Sequence, residues 1–141
     1  VEMNEVMNST VLAVGAGLLL IALVVVAGVF SKRGRRLNVA YYEEKWKELQ
    51  KLLNTTATWP LAIIDADKLL DQALKARRFK GKTMGERLVA AQREIKYNDE
   101  VWFGHKLRNK LVHESDIKLK ERDVKDALLG IKAALKDLGA L

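Results

Sequence analysis

The sequence predicts an all-α protein, in which an N-terminal transmembrane helix leads into an up-and-down antiparallel bundle of four to five helices. Three observations point there. Twenty uncharged residues, Val11 to Phe30, are all apolar or Gly. Beyond them apolar residues recur at helical spacing, and no stretch alternates with a period of two. The links between the periodic segments are short, as between antiparallel neighbours. Composition narrows the rest: 141 residues leave room for one folded domain. The chain has no Cys, which excludes a disulfide scaffold and a cysteine nucleophile, and two His leave little for a metal site. No metal or other cofactor is expected.

Residues 1–10 read as a short extracytoplasmic tail, too brief to fold. Residues 11–30 are the membrane span, since twenty helical residues cover about 30 Å, the thickness of a hydrocarbon core. A cleaved signal peptide fits poorly, because the segment before the span holds Glu2 and Glu5 but no Lys or Arg. Ala13 and Gly17 form a small-xxx-small pair through which two spans could pack. Residues 31–37 form a basic collar. Lys32, Arg33, Arg35 and Arg36 place it in the cytoplasm by the positive-inside rule and suit it to anionic lipid headgroups. The expected location is the cell membrane, single-pass, with the N-terminus outside and residues 38–141 cytoplasmic. From residue 37 onward the chain carries 21 basic and 16 acidic residues, a net charge of +5.

Five helices are expected in this domain. The first covers Asn38 to Asn54, with Tyr42, Trp46, Leu49, Leu52 and Leu53 on one stripe, and Gly34 interrupts it from the span. The second starts at Thr58–Trp59–Pro60, where Pro suits the first turn. It buries Ala62, Ile63, Ala66, Leu69, Leu70, Ala73 and Leu74, and Gly81 breaks it. Thr83 and Glu86 form a capping box for the third, which runs to Ile95. Asn98 caps the fourth, with Asp99 and Glu100 in its first turn and His113 in its last. The fifth covers Lys120 to Leu138 on a seam of Val124, Leu128, Ile131, Leu135 and Leu138.

Chemistry concentrates in the fourth helix, where His105-Lys106-Leu107-Arg108-Asn109-Lys110-Leu111-Val112-His113 places both histidines beside an Arg and an amide. RNKLVH, residues 108–113, resembles the R-x4-H motif of HEPN domains, and is especially similar to the RNxLVH form of HepT-type toxins. HEPN domains are all-helical bundles, and many are metal-independent ribonucleases that dimerise to build the active site. The resemblance implies Arg108 and His113 as catalytic residues, Asn109 as their polar neighbour, RNA as substrate and a homodimer as the working form. It covers one hexapeptide within a helical domain of suitable size. HepT-type motifs carry a Tyr two residues after the His; Ser115 stands there, so regulation through that Tyr does not carry over. TMGERL followed by VWFGHKLRN behind a span is also similar to small bacterial single-pass membrane proteins, a likeness that implies no activity.

The residue types suit such a reaction. RNA is cleaved by its own 2′-hydroxyl when a base takes the proton and a cation steadies the phosphorane. Imidazole suits the first task and guanidinium the second. Yet residues five apart on a helix point about 140° apart. Arg108 must therefore curl round, the helix must loosen near His113, or a second subunit must complete the site.

Simpler readings stand beside these. His113 in a last turn faces exposed carbonyls that favour a cation. Arg108 could pair with an acid on a neighbouring helix, and Asn109 could be a buried amide that fixes register. His105 reads as a packed core or boundary residue, and Trp46, Trp59 and Trp102 as core. Lys75, Arg77, Arg78, Lys80 and Lys82 form either a solvated loop or a contact for RNA or the anionic leaflet. Asp65, Asp67 and Asp71 read as solvent-facing charges. The non-enzymatic alternative is a membrane-tethered adaptor for a cytoplasmic protein partner, with RNKLVH as a structural knot.

Overall fold

The computed structural model describes residues 2–32 and 35–141, the side chains of 29–32 excepted. The described residues are helical, with no strand among them, and form two compact units, Val1–Gly34 and Arg35–Leu141.

The first unit is one helix, α1 (Glu2–Lys32). Its side chains from Glu2 to Gly28 are all exposed, and the stretch has a mean hydropathy of 2.8 at its most apolar. It is the one helix among the described residues long and apolar enough to cross a membrane. The tail, expected to be too short to fold, is helical from Glu2. Extending an existing helix fixes one residue per hydrogen bond gained, with no new nucleus to form. Ser9 and Thr10 hydroxyls donate back to the Val6 and Met7 carbonyls at 2.9 and 3.1 Å. Arg33 of the collar and the Gly34 break lie outside the described residues; Arg35 and Arg36 are exposed.

The second unit holds α2 (Val39–Gln50), α3 (Trp59–Ala76), α4 (Met84–Ala91), α5 (Asn98–His113) and α6 (Glu121–Asp137). Asn38 caps α2 by accepting the Tyr41 amide at 3.3 Å. The first expected helix is shorter than its periodicity: Lys51–Asn54 and Thr56–Thr58 are 3-10 turns. They reverse the chain so that Tyr41 at the start of α2 donates to Gln72 near the end of α3. The α2 and α3 helices are thus antiparallel.

α3 is the central element, packed on α2, α4, α5 and α6. Its expected apolar face is buried throughout, as is the seam of α6. The helix ends before Gly81: Arg78 adopts φ 63°, with Arg78 N–H on Lys75 O and Phe79 N–H on Leu74 O. That is a Schellman turn with Arg in the place usually held by Gly. Gly139, φ 76°, closes α6 in the same way.

The capping box forms by half. Thr83 accepts the Glu86 amide at 3.2 Å, but the Glu86 carboxylate takes the Lys82 amide, at 2.6 Å, instead of that of Thr83. α4 stops at Ala91, short of Ile95, which is buried in the turn that follows. Asn98 does not cap α5; its amide donates to the Gln92 and Ile95 carbonyls and holds that preceding turn.

α5 and α6 are the closest pair of helices. A Cβ on Gly130 would lie 2.4 Å from the Glu100 carbonyl oxygen, and one on Gly104 would lie 3.0 Å from that of Ala127. The pairing of 100 with 130 and 104 with 127 makes α5 and α6 antiparallel. Gly130→Ala therefore inserts a methyl against backbone that cannot swing aside, and should cost about 2 kcal/mol. Gly85, whose Cβ would meet only the Trp102 ring at 3.5 Å, is the control. Gly85→Ala should leave stability unchanged or raise it by less than about 1 kcal/mol. Urea unfolding followed by Trp emission reads both, since all three Trp lie in the second unit.

Candidate functional site

α3 brings a carboxylate into the core that the sequence reading had left in solvent. Asp67 is 1% exposed and lies on the buried stripe with Ile63, Leu70 and Leu74. The correction has a plain cause: α3 is covered on most sides, so its 63–67–70–74 row meets α5, not water. A buried carboxylate needs partners, and α5 supplies them. His105 Nδ1 lies 3.0 Å from Asp67 Oδ1, and Arg108 Nε lies 3.3 Å from Oδ2. The second is an ion contact without hydrogen-bond alignment.

Asn109 closes the ring. Its Oδ1 accepts from Arg108 Nη1 at 2.9 Å, and its Nδ2 lies 3.3 Å from His105 Nε2. The donors and acceptors agree in one direction: Arg108 donates to Asn109, Asn109 to His105, and His105 Nδ1–H to Asp67. That order puts the imidazole proton on Nδ1. The Trp102 ring meets His105 edge-on, with centroids 5.7 Å apart. The expectation that His105 is packed matches this arrangement; Asn109 is hydrogen-bonded as expected, but half-buried where a buried amide was expected.

Arg108 is half-buried, with 34% of its side chain open, and Nη2 has no partner among the described residues. His113 is exposed and makes no side-chain hydrogen bond among them. The two are not brought together within one chain. Arg108 lies on the same side of α5 as the buried Val101 and His105, and α5 remains regular through His113. Two of the three ways of joining the pair, curling of Arg108 and loosening of the helix, are therefore not taken.

His113 has other company. Lys106, Lys110 and His113 are spaced four and three apart and form one exposed cationic edge with no ion-pair partner among the described residues. The helix keeps its acids, Asp99 and Glu100, in its first turn. The sequence reading did not single out Lys106 and Lys110; their i, i+4, i+7 spacing with His113 was the available signal.

The 75–82 cluster is divided by the fold. Lys75 pairs with Asp71 at 2.7 Å. Arg77 donates to Leu138 O at 2.6 Å, pairs with Glu94 at 2.5 Å and lies over Phe79. Arg78, Lys80 and Lys82 are exposed and unpaired among the described residues. Asp71 is not solvent-facing either. It binds Arg87, which also holds the Gly81 carbonyl at 2.8 Å. Burial pushes the Asp71 carboxyl up, but hydrogen bonds and charge from Lys75 and Arg87 outweigh it and hold it below the usual aspartate range. Asp65 is half-buried.

No group of three His, Asp or Glu that could hold a metal occurs among the described residues. Comparison with protein-family models, with curated proteins and with solved structures gave no match.

The ring makes a quantitative expectation. Asp67→Ala should lower stability by about 3 kcal/mol, because it leaves a buried imidazole N–H without its acceptor and a half-buried guanidinium without its counter-charge. Arg108→Ala should cost less in the Asp67→Ala background than in the wild type, with a coupling of about 1 kcal/mol. Urea unfolding of the four proteins measures it, and additive effects would mean that Arg108 does not bear on Asp67.

Proposed function

We propose that the protein is a membrane-anchored helical domain that binds RNA along the exposed edge of α5 and cleaves it without a metal where two copies meet. The observation that carries the reading is the unpaired row Lys106, Lys110 and His113, with Arg108 held in a fixed pose around the helix from it. Two ammonium groups and an imidazole at helical spacing suit successive phosphates of a strand. The likeness of RNKLVH to the HEPN motif supports the same choice.

In this reading His113 moves the proton. One imidazole takes the 2′-hydroxyl proton; the oxygen attacks phosphorus; the P–O5′ bond breaks; and the leaving 5′-oxygen is protonated by the imidazole of a second copy. Arg108 offers Nη2 to the phosphorane, and Asn109 positions Arg108. A homodimer fits this reading, since the two residues face different sides of one regular helix. Arg78, Lys80 and Lys82, in the loop after α3, form a separate cationic patch for RNA or the anionic leaflet.

A second reading has its own observation. The Asp67–His105–Asn109–Arg108 ring is closed, as a structural knot would be, and fits a tethered adaptor for a cytoplasmic protein partner. One experiment separates them. The full chain in nanodiscs is incubated with labelled RNA and EDTA. His113→Ala is the clean variant, because His113 is exposed and makes no side-chain hydrogen bond or ion pair among the described residues. The nuclease reading expects fragments ending in 2′,3′-cyclic phosphate, and a rate at least about 100-fold lower in the variant. An inactive wild type favours the adaptor, and a fully active His113→Ala takes His113 out of the chemistry.

The membrane side of the proposal places α1 across the bilayer with the N-terminus outside. Lys32, Arg33, Arg35 and Arg36 then lie against anionic lipid on the cytoplasmic face. The chain has no Cys, so single cysteines report topology without background. In intact cells an impermeant maleimide should label Met3→Cys and leave Ser115→Cys unlabelled until the membrane is opened. The reverse pattern inverts the topology, and a chain released by carbonate washing has no spanning anchor.

A further inference from the structure

The fold gathers at one end of the bundle two cationic segments that lie far apart in sequence. α2 starts where α3 ends, because the Tyr41 hydroxyl donates to Gln72 at 3.3 Å. Arg35 and Arg36 precede α2, and Leu37 packs on the core and holds them at that end. Arg78, Lys80 and Lys82 follow α3. Neighbouring helices stand about 10 Å apart, axis to axis, so the two segments leave the bundle side by side. α6 ends here as well, since Arg77 donates to the Leu138 carbonyl at 2.6 Å. α5 starts here, since the Lys96 amide donates to Asp137 at 2.9 Å.

All five cations are exposed, and none has an ion-pair partner among the described residues. The acids at this end are fewer. Glu86 takes the Lys82 amide, and Asp99 and Glu100 stand on the α5 side. Glu94 and Asp137 already face Arg77 and Lys96. Beside the cations, in the first turn of α2, Val39 and Tyr41 are 42% and 39% exposed. Apolar and phenolic side chains next to cations suit the boundary between lipid headgroups and acyl chains. Arg78 adds a further sign. It holds φ 63° in a Schellman position where Gly is free of strain, so folding does not account for a guanidinium there.

We propose that this end of the bundle seats on an anionic membrane surface, with Arg35, Arg36, Arg78, Lys80 and Lys82 over lipid phosphates and Tyr41 at headgroup level. The proposal rests on α1 crossing the bilayer and does not depend on the nuclease reading. Only residues 33–38 separate α1 from α2, and that length of chain reaches at most about 25 Å. Anionic lipid is therefore always within reach of this end. An RNA strand on the same loop would lie close to that lipid and be repelled by it. α5 runs away from the seat, and its 16 residues carry His113 about 24 Å from it. Headgroup charge is screened within about 8 Å in physiological salt, so the far end of α5 stays open to anionic ligands.

The test uses the full chain in phosphatidylcholine nanodiscs, with or without phosphatidylglycerol, that carry a gadolinium-chelating headgroup. Gadolinium broadens the nitrogen-15 amide peaks of residues close to the lipid. With phosphatidylglycerol the Gly81 amide should broaden, while that of Ser115, past the far end of α5, stays sharp. Without it the Gly81 peak should recover. Each cation near an anionic surface is worth about fivefold, so Arg78→Gln with Lys80→Gln and Lys82→Gln should shift the docked-to-free ratio at least about tenfold toward free. Arg78→Gly should weaken docking while leaving the urea midpoint unchanged or higher, which separates lost contact from misfolding. A Gly81 peak indifferent to phosphatidylglycerol or to the triple variant overturns the proposal, and so does equal broadening of Ser115. If an RNA oligonucleotide shifts Gly81, and phosphatidylglycerol does not broaden it, the loop is an RNA contact and the seat is lost. A chain that does not co-elute with the discs sinks the spanning anchor and the proposal with it. One that co-elutes with Gly81 unbroadened leaves the anchor standing and removes only the seat.

Discussion

A single buried carboxylate sets the relation between α3 and α5. Asp67 is sealed in the core, and a charge there is tolerated only with counter-charge and hydrogen bonds in place. His105 and Arg108, one turn apart on α5, meet its two oxygens. A slip of α5 by one residue in either direction would carry both donors away from Asp67 at once. An apolar contact would tolerate such a slip at smaller cost, because dispersion and area burial have little directionality. The ring thus specifies register more than it adds stability, and Asn109 makes that specification stricter by linking the two donors to each other.

The rest of α5 follows from that register. With His105 and Arg108 turned to α3, Gly104 comes against Ala127, and Glu100 against Gly130, so α5 and α6 approach where one or the other lacks a side chain. The opposite face then belongs to solvent, which is where Lys106, Lys110 and His113 stand. α6 is committed to α5 and α3, and α2 reaches the bundle through α3. The open side between α2 and α6 is the geometric remainder of this arrangement, and it is filled by no element of the domain.

The sequence announced the helices and their buried faces well, because burial obeys a period that can be counted. The seams of α3 and α6 are the case: every apolar residue assigned to them is buried. Ends were less legible. Gly81 looked like the terminator of α3, yet the chain turns at Arg78, whose positive φ no composition rule suggests. Asn98 looked like a cap and instead ties down the turn before it, since its amide found two carbonyls there. Asp67 was legible and missed. It falls in the 63–67–70–74 row, and an acid within an apolar row signals a buried partner on another helix. Which helix holds that partner is a tertiary fact that spacing alone does not contain. Arg108 and His113 were found as residues, but their separation around α5 is what decides how they could act.

That separation bears on the proposed assembly. On one regular helix the two residues face different directions, so a site containing both requires two helices, and identical chains supply them most simply by a two-fold axis. The proposed anchor restricts this further. Copies that cross one bilayer in the same sense can share only an axis along the membrane normal, because any other two-fold would invert one of them. Tethering also confines the copies to a thin layer, which raises the effective concentration of each for the other. A weak contact along α5 would then be enough to pair domains that stay apart in dilute solution. A tethered bundle with a cationic edge is therefore consistent with pairing governed by the density of anchors in the membrane.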